Sequence, residues 1–191
     1  MIKSIVLVFW IILLPLIGHT QTEPIYLKLK EAKLIHPDSV FYLDISRDGL
    51  KEIPTEILLF KNLKGLDLSN NKLDSLPNTF IFHQLETLNL TNNKFRVFPP
   101  VICKNTGLTK LLMGKNYLTE IPECIGELYN LETLDIWFNV ITVLPESLTQ
   151  LNKLRSMDIR GMNYSEEFQE KWNKLLPRVK IEFDNGCDCG L

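Results

Sequence analysis

Short apolar pairs separated by one residue recur along most of the chain. Each pair gives an x-Leu-x-Leu-x alternation of period two, which is typical of a strand with one buried face. Successive pairs begin 22 or 23 residues apart, at Leu43-x-Ile45, Leu66-x-Leu68, Leu88-x-Leu90, Leu111-x-Met113, Leu134-x-Ile136 and Met157-x-Ile159. One strand in every period predicts stacked coils that share a parallel sheet.

Two further columns keep the same period. Five residues after the start of each pair stands a mainly Asn column, formed by Asp48, Asn71, Asn93, Asn116, Asn139 and Met162. Eleven residues after the start of each pair stands a proline column, formed by Pro54, Pro77, Pro99, Pro122 and Pro145, with Phe168 ending the series. A buried Asn has both a donor and an acceptor, so we expect it to satisfy backbone groups of neighbouring turns. Proline suits the outer wall, where no ladder needs its missing N–H.

The three columns together resemble the leucine-rich repeat family, in the variant LxxLxLxxNxLxxLPxxIxxLxx. Residues 131–145 follow that pattern almost completely, and the resemblance covers residues 40–162 as six repeats, of which the first and last are degenerate. It implies an α/β leucine-rich repeat solenoid with a parallel sheet on the concave face and helical end caps. It implies recognition rather than a particular function, because such repeats serve many unrelated tasks.

The segments that flank the repeats are expected to cap the solenoid, because a single coil cannot bury its own apolar face. In the N-terminal cap, residues 21–39, a short amphipathic helix is predicted over 26–36. In the C-terminal cap, residues 163–191, Ser165 is expected to start a helix that ends before Pro177. That helix carries an apolar face, which predicts core positions for Phe168, Trp172, Leu175 and Leu176, and residues 178–183 alternate as a final edge strand.

Residues 1–20 are predicted to be a signal peptide. Residues 5–17 are uncharged and apolar, a length that suits a signal core but falls short of the ~20 residues of a bilayer span. Small residues at Gly18 and Thr20 precede a cut at Gln21, while an uncleaved anchor and an internal strand are the alternatives. The mature chain is then expected outside the cytoplasm, as a secreted, periplasmic or cell-surface protein without a membrane span.

Composition and charge exclude some partners and offer little for catalysis. With 21 basic and 23 acidic residues the net charge is -2, so a polyanion is not favoured and no nucleic acid is expected. After signal removal only His36 and His83 remain, far apart along the solenoid, and neither a phosphate-binding glycine loop nor an HExxH motif occurs. We therefore expect no enzyme, no cofactor and no metal site.

The four cysteines leave several pairings open. Cys103 and Cys124 fall on the outer segments of adjacent repeats, where either a disulfide or two buried thiols can form. Cys187 and Cys189 resemble the start of the cysteine-rich flank of many extracellular leucine-rich repeat proteins, although the later cysteines of that flank are missing. A bond between these two, free thiols and a bond to another chain all stay open.

The sheet face opposite the buried leucines is the expected binding surface. Its columns hold mostly small or polar side chains, and Leu112, Trp137 and Phe138 are apolar exceptions in neighbouring coils. An apolar centre with a charged rim is typical of binding hot spots, which predicts a partner site of Leu112, Asp135, Trp137, Phe138, Arg155, Asp158 and Arg160. Alternatively, Phe138 folds over the turn and Trp137 leans on the C-terminal cap.

The predicted function is binding of a protein or peptide ligand through this face. A surface structural protein that associates with its own kind is one alternative. A carbohydrate-binding module, with a glycan stacked on Trp137, is the other.

Overall fold

Within residues 24–184, which the computed structural model describes, eight parallel strands form one sheet. Their order in the sheet is their order in the chain, and the first residues of the apolar pairs lie opposite one another in register. The strands are β1 (Leu27–Lys28), β2 (Tyr42–Asp44), β3 (Gly65–Asp67), β4 (Thr87–Asn89), β5 (Lys110–Leu112), β6 (Thr133–Asp135), β7 (Ser156–Asp158) and β8 (Lys180–Glu182). The predicted solenoid with a parallel sheet is confirmed.

The proline column begins the outer wall of the coils. Pro54, Pro99, Pro122 and Pro145 each immediately precede a 3₁₀ helix, because a fixed φ prepares the chain for the turn. At Pro77 the wall is a simple turn, closed by the N–H of Phe80, which donates to the Pro77 carbonyl at 2.9 Å. The 3₁₀ helices lie at Pro37–Ser39, Thr55–Leu59, Pro100–Lys104, Glu123–Glu127 and Glu146–Gln150.

The Asn column forms the predicted ladder of buried amides. The Oδ1 of Asn93 accepts the N–H of Leu73 in the preceding coil at 3.0 Å, and its Nδ2 donates to the carbonyls of Leu68 and Leu90, each at 3.0 Å. Asn71, Asn116 and Asn139 make equivalent bonds. Each amide therefore joins its own turn to the preceding coil.

The N-terminal cap differs from the prediction. Only Leu29–Ala32 is α-helical (α1), so the predicted helix over 26–36 is wrong. Residues Leu27–Lys28 instead form β1, which pairs in parallel with β2. The reason is that β2 would otherwise leave unpaired N–H and C=O groups at the edge of the sheet.

The C-terminal cap contains the predicted helix and edge strand. Helix α2 (Glu166–Leu175) begins after Ser165, whose Oγ accepts the N–H of Phe168 at 3.3 Å, and β8 adds to β7. Trp172 is 1% exposed, which confirms its core position, whereas Leu175 at 41% exposure lies largely outside the core.

Two predictions fall beyond the described residues. The signal peptide at 1–20 and the Cys187–Cys189 tail both lie outside residues 24–184. Between residues 24 and 184, no helix is long and apolar enough to cross a membrane.

Candidate functional site

A polar column runs across the solvent-facing side of the sheet, here called the sheet face. Strand register brings its members side by side in the order Asp44, Asp67, Asn89, Leu112, Asp135, Asp158 and Glu182. In most coils the carboxylate or amide oxygen accepts the N–H two residues later, as Asp67 does from Ser69 at 2.8 Å. Leu112 has no oxygen for that bond, so the polar column is interrupted at β5.

Trp137 lies next to this interruption, two residues after the end of β6. Gly114 holds the same position one coil earlier, and a Cβ there would collide with Nε1 and Cδ1 of the indole. The Nζ of Lys115 lies 4.8 Å from the centroid of the indole ring. Trp137 therefore leans on the preceding coil rather than on the C-terminal cap, because Gly114 leaves room for its ring.

Phe138 leans in the opposite direction, onto the following coil. A Cβ on Gly161, which holds the same position one coil later, would approach the Phe138 ring to 2.8 Å. The two aromatic rings meet edge to face, with centroids 5.2 Å apart and planes at 87°. Each ring of the Trp137–Phe138 pair thus rests on a glycine of its own column.

Phe138 combines an exposed ring with a strained backbone. Its side chain is 57% exposed and its φ is 50°, in the left-handed region that bulky residues rarely adopt. The same position is left-handed in every earlier coil, with φ of 62° at Arg47, 57° at Asn70 and Asn92, and 53° at Lys115. Asn tolerates this conformation far better than the other side chains do.

Charged groups lie beside the aromatic pair on β6, β7 and β8. Burial, together with the nearby carboxylate of Asp158, raises the pKa of Asp135 to about 6. Arg160 donates its Nε–H to Oδ1 of Asp158 at 2.9 Å and reaches Glu182 at 3.3 Å. The hydrogen bond to Asp158 raises the pKa of Arg160 further above its ordinary value.

The predicted site residues are brought together with one exception. Leu112, Asp135 and Asp158 are neighbours on adjacent strands, and Trp137, Phe138 and Arg160 follow the same strands. Arg155 precedes β7, at the other end of the strand, and its Nε lies 3.9 Å from Glu132. It therefore does not rim the aromatic pair.

Sequence reasoning missed a second group, here called the turn edge: Lys94, Arg96, Val97, Tyr117 and Val140. These residues follow strands β4, β5 and β6, and Val97, Tyr117 and Val140 are 65%, 55% and 55% exposed. The sixth position after the start of the four middle apolar pairs holds Lys72, Lys94, Tyr117 and Val140. A comparison of equivalent positions that continued two residues beyond the column of Phe138 would have found this change from a cation to an apolar residue.

On the outer wall, the structure joins Cys103 and Cys124 by a disulfide with a Cα–Cα distance of 5.9 Å. It connects the 3₁₀ helices Pro100–Lys104 and Glu123–Glu127 of adjacent coils. Over residues 24–184 no cluster of three or more His, Cys, Asp or Glu residues could hold a metal ion.

A sequence model of leucine-rich repeats matches residues 39–95 and 106–164. Because these two stretches make up more than half of the chain, the protein belongs to the leucine-rich repeat family.

The chain is similar to repeat-containing parts of three otherwise different proteins. A leucine-rich repeat protein of Leptospira interrogans has 31% identity and a TM-score of 0.64, over 75% of this chain and 36% of that one. The ectodomain of the plant receptor kinase GASSHO1/SCHENGEN3 from Arabidopsis thaliana, solved in complex with Casparian strip integrity factor 2, has 30% identity and a TM-score of 0.54, over 62% of this chain and 16% of that one. An adenylate cyclase of Podospora anserina has 40% identity over 98 residues, which is 49% of this chain and 4% of the cyclase. The chain thus spans a minor part of each of these proteins.

Proposed function

We propose that this protein is a non-catalytic module that binds a protein or peptide through its sheet face, with the Trp137–Phe138 pair as the anchor. The observation that carries this proposal is the support of each ring by a glycine, Gly114 or Gly161. Such packing holds the two rings in a defined position while Phe138 stays 57% exposed. Rigid, partly exposed aromatic side chains are the usual energetic centres of protein interfaces.

The choice of a bulky apolar residue at position 138 supports the same function. A bulky side chain at φ 50° costs roughly 1–2 kcal/mol, and Asn in the same position avoids most of that cost. The left-handed turn itself belongs to the repeat, since Arg47 and Lys115 adopt φ of 62° and 53° at the same position, but only this coil has a large apolar side chain there. The similar plant receptor ectodomain was solved in complex with Casparian strip integrity factor 2, which favours a peptide or protein as the ligand.

The cyclase match gives no support for enzymatic activity. It spans 4% of that enzyme, so most of the cyclase has no counterpart in the match. Leucine-rich repeats are usually binding modules, so recognition accounts for the described part of the chain without catalysis.

Trp137→Ala tests the proposed site. Proteins and peptides retained by the immobilised chain are identified and their affinities are measured for wild type, Trp137→Ala and Tyr129→Ala. Tyr129 is the matched control, because it is 57% exposed on the outer wall. Trp137→Ala should cost about 2 kcal/mol or more in binding, the usual scale for an aromatic anchor, while Tyr129→Ala should cost little. A strong fall in melting temperature with unchanged capture would assign Trp137 to the core.

We also propose that the protein works outside the cytoplasm, as a secreted, periplasmic or cell-surface protein. The disulfide Cys103–Cys124 supports this location, because such bonds persist mainly in oxidising compartments. The intact mass of exported protein should correspond to cleavage between Thr20 and Gln21. A mature chain that still carries Trp10 would contradict the proposed cleavage.

A further inference from the structure

The turn edge contains an open depression of about 440 Å³, formed by coils that precede the coil of the aromatic pair. It is lined by Asp74, Lys94, Arg96, Val97 and Tyr117, which follow strands β3, β4 and β5. The nearest coil on its C-terminal side contains Val140 and Phe138, both more than half exposed. The coils that form the depression therefore directly precede the coil that carries the apolar part of the proposed site.

The polar lining of this depression has donors without acceptors. Among residues 24–184, the side chains of Lys94, Arg96 and Tyr117 make no ion pair or hydrogen bond with another residue. Asp74 is the carboxylate in the lining, and its Oδ1 accepts a hydrogen bond from Ser75 at 3.0 Å. Two cations and a phenol against one carboxylate leave an excess of positive charge and of free donors.

The apolar lining of the depression continues toward Phe138. Val97 and Tyr117 are 65% and 55% exposed, and Val140 follows Tyr117 at the same position of the next coil. Lys94 and Phe138 lie two coils apart, which is about 10 Å along the stack at the spacing of neighbouring strands. They are also offset across the stack, because they hold the sixth and fourth positions after the start of their pairs. An extended peptide covers that distance with about three residues.

We propose that the turn edge receives an acidic side chain of an extended peptide, whose apolar residue packs on the Trp137–Phe138 pair. The carboxylate of that Asp or Glu meets Lys94 and Arg96, and Tyr117 can donate its hydroxyl to the same group. The apolar residue follows or precedes the acidic one by about two to four positions, given the two-coil distance. This inference rests on the proposed function, since it names the chemistry of the partner.

Selection from a random dodecapeptide library displayed on phage tests the inference with the full chain. Wild type should enrich peptides with Asp or Glu two to four positions from an aromatic or aliphatic residue. The double variant Lys94→Glu/Arg96→Glu should lose that acidic preference and bind the peptides selected by wild type about tenfold or more weakly, because charged hydrogen bonds are lost. Lys94→Ala/Arg96→Ala should lose the preference without reversing it.

Lys61→Glu/Lys104→Glu is the matched control, since it makes the same change in charge on the outer side of the coils, where both lysines are exposed. Its selected peptides should equal those of wild type. Wild-type peptides without an acidic preference, or a preference unchanged in both Lys94/Arg96 variants, would overturn the inference.

The same selection separates this inference from the proposed function. If Trp137→Ala removes peptide binding while the Lys94 and Arg96 variants change nothing, the aromatic site stands and the turn edge is no subsite. If the charge variants abolish the acidic preference and Trp137→Ala has no effect, the turn edge stands and the aromatic anchor is wrong. A library that yields no binding peptides contradicts both.

Discussion

Phe138 shows at the scale of one residue how binding and folding make opposite demands. Its backbone is left-handed, as are those of Asn70 and Asn92 at the same position of earlier coils. Asn lowers the cost of that conformation because its short polar side chain tolerates it. The protein keeps a phenyl ring at this position and leaves more than half of it exposed.

Phe138→Asn should therefore weaken binding without destabilising the fold. Relief of backbone strain should roughly offset the lost contacts with Trp137 and Gly161, so the free energy of unfolding should fall by no more than about 0.5 kcal/mol. Urea unfolding and peptide affinity are measured on the same preparation. A loss of stability as large as that of a core substitution would show that the ring is structural.

Asn93→Ala and Asn116→Ala should each lower the free energy of unfolding by about 1–3 kcal/mol, the cost of unpaired buried groups. Each side chain is 5% exposed and bonds to the backbone of its own and the preceding coil. Asp48→Ala should cost less, because Asp48 is exposed at the end of the column. Equal shifts of the urea midpoint at the three positions would contradict the ladder.

Neighbouring elements of the sheet face are coupled through charge. Register sets Asp135 on β6 directly opposite Asp158 on β7, and Arg160 is bonded to Asp158. The carboxyl of Asp135 therefore has a like charge beside it, while the nearest guanidinium is bound to another partner. Its pKa of about 6 follows from that arrangement and from burial.

Asp135→Asn should stabilise the protein at neutral pH more than at acidic pH. The folded pKa of about 6 exceeds the ordinary carboxyl pKa of 3.8, so the folded state holds the proton more tightly than the unfolded state. Stability from this group is greatest below pH 3.8 and is lost as the pH rises to about 6. Calorimetry at pH 4 and pH 7.5 should thus show a clear gain for the variant only at the higher pH.

Asp67→Asn is the control for this pH effect. Both oxygens of Asp67 already accept hydrogen bonds, from Ser69 at 2.8 Å and from Asn89 at 3.1 Å. The substitution should therefore bring no gain at pH 7.5. A gain in stability at pH 7.5 from both substitutions would mean that the net charge of the sheet face, and not the environment of Asp135, causes the effect.

The disulfide Cys103–Cys124 connects two elements of the outer wall. The bonded residues are 21 positions apart, and closing such a loop stabilises by about 3 kcal/mol through the entropy of the unfolded chain. Reduction should lower the melting temperature of wild type. In Cys103→Ala/Cys124→Ala the reductant should have no effect, and a comparable response there would exclude the disulfide as its cause.

The whole molecule is a one-dimensional stack whose ends differ from its middle. Strands β2–β7 each pair with a neighbour on both sides, while β1 and β8 close the described sheet. At the C-terminal end, Trp172 of α2 is almost fully buried against the core. In a stack of this kind, loss of one cap exposes the adjacent coil first.

Trp172→Ala should destabilise the C-terminal coils selectively. Removing a buried Trp costs about 3–5 kcal/mol, and nearest-neighbour coupling confines the early loss of structure to the adjacent coils. Hydrogen exchange followed by mass spectrometry should show faster exchange in β6–β8 than in β2–β4, relative to wild type. A uniform loss of protection would mean that the solenoid unfolds as one unit.

The strands, the Asn ladder and Trp172 could be predicted because each follows from a pattern within the chain. The role of Asn105 could not, since it replaces the buried apolar residue that Phe60, Leu128 and Leu151 supply at the same position of other repeats. Its Oδ1 accepts the N–H of Phe82 at 2.7 Å. The support of Trp137 by Gly114 also escaped prediction, because it depends on contacts between coils. Strand β1 was missed for the same reason, as pairing with β2 outweighed the local helical pattern of residues 26–36.

Strict register across the sheet means that equivalent positions on this surface recur at a fixed interval, one for each coil. Each repeat advances the stack by one strand spacing, about 4.8 Å, and leaves the chemistry of the other coils unchanged. Along the stack, the interval between the coils of Lys94 and Phe138 is therefore two such steps. Gain or loss of one repeat between them would change the length of ligand that reaches both positions, while every residue that touches the ligand stayed the same.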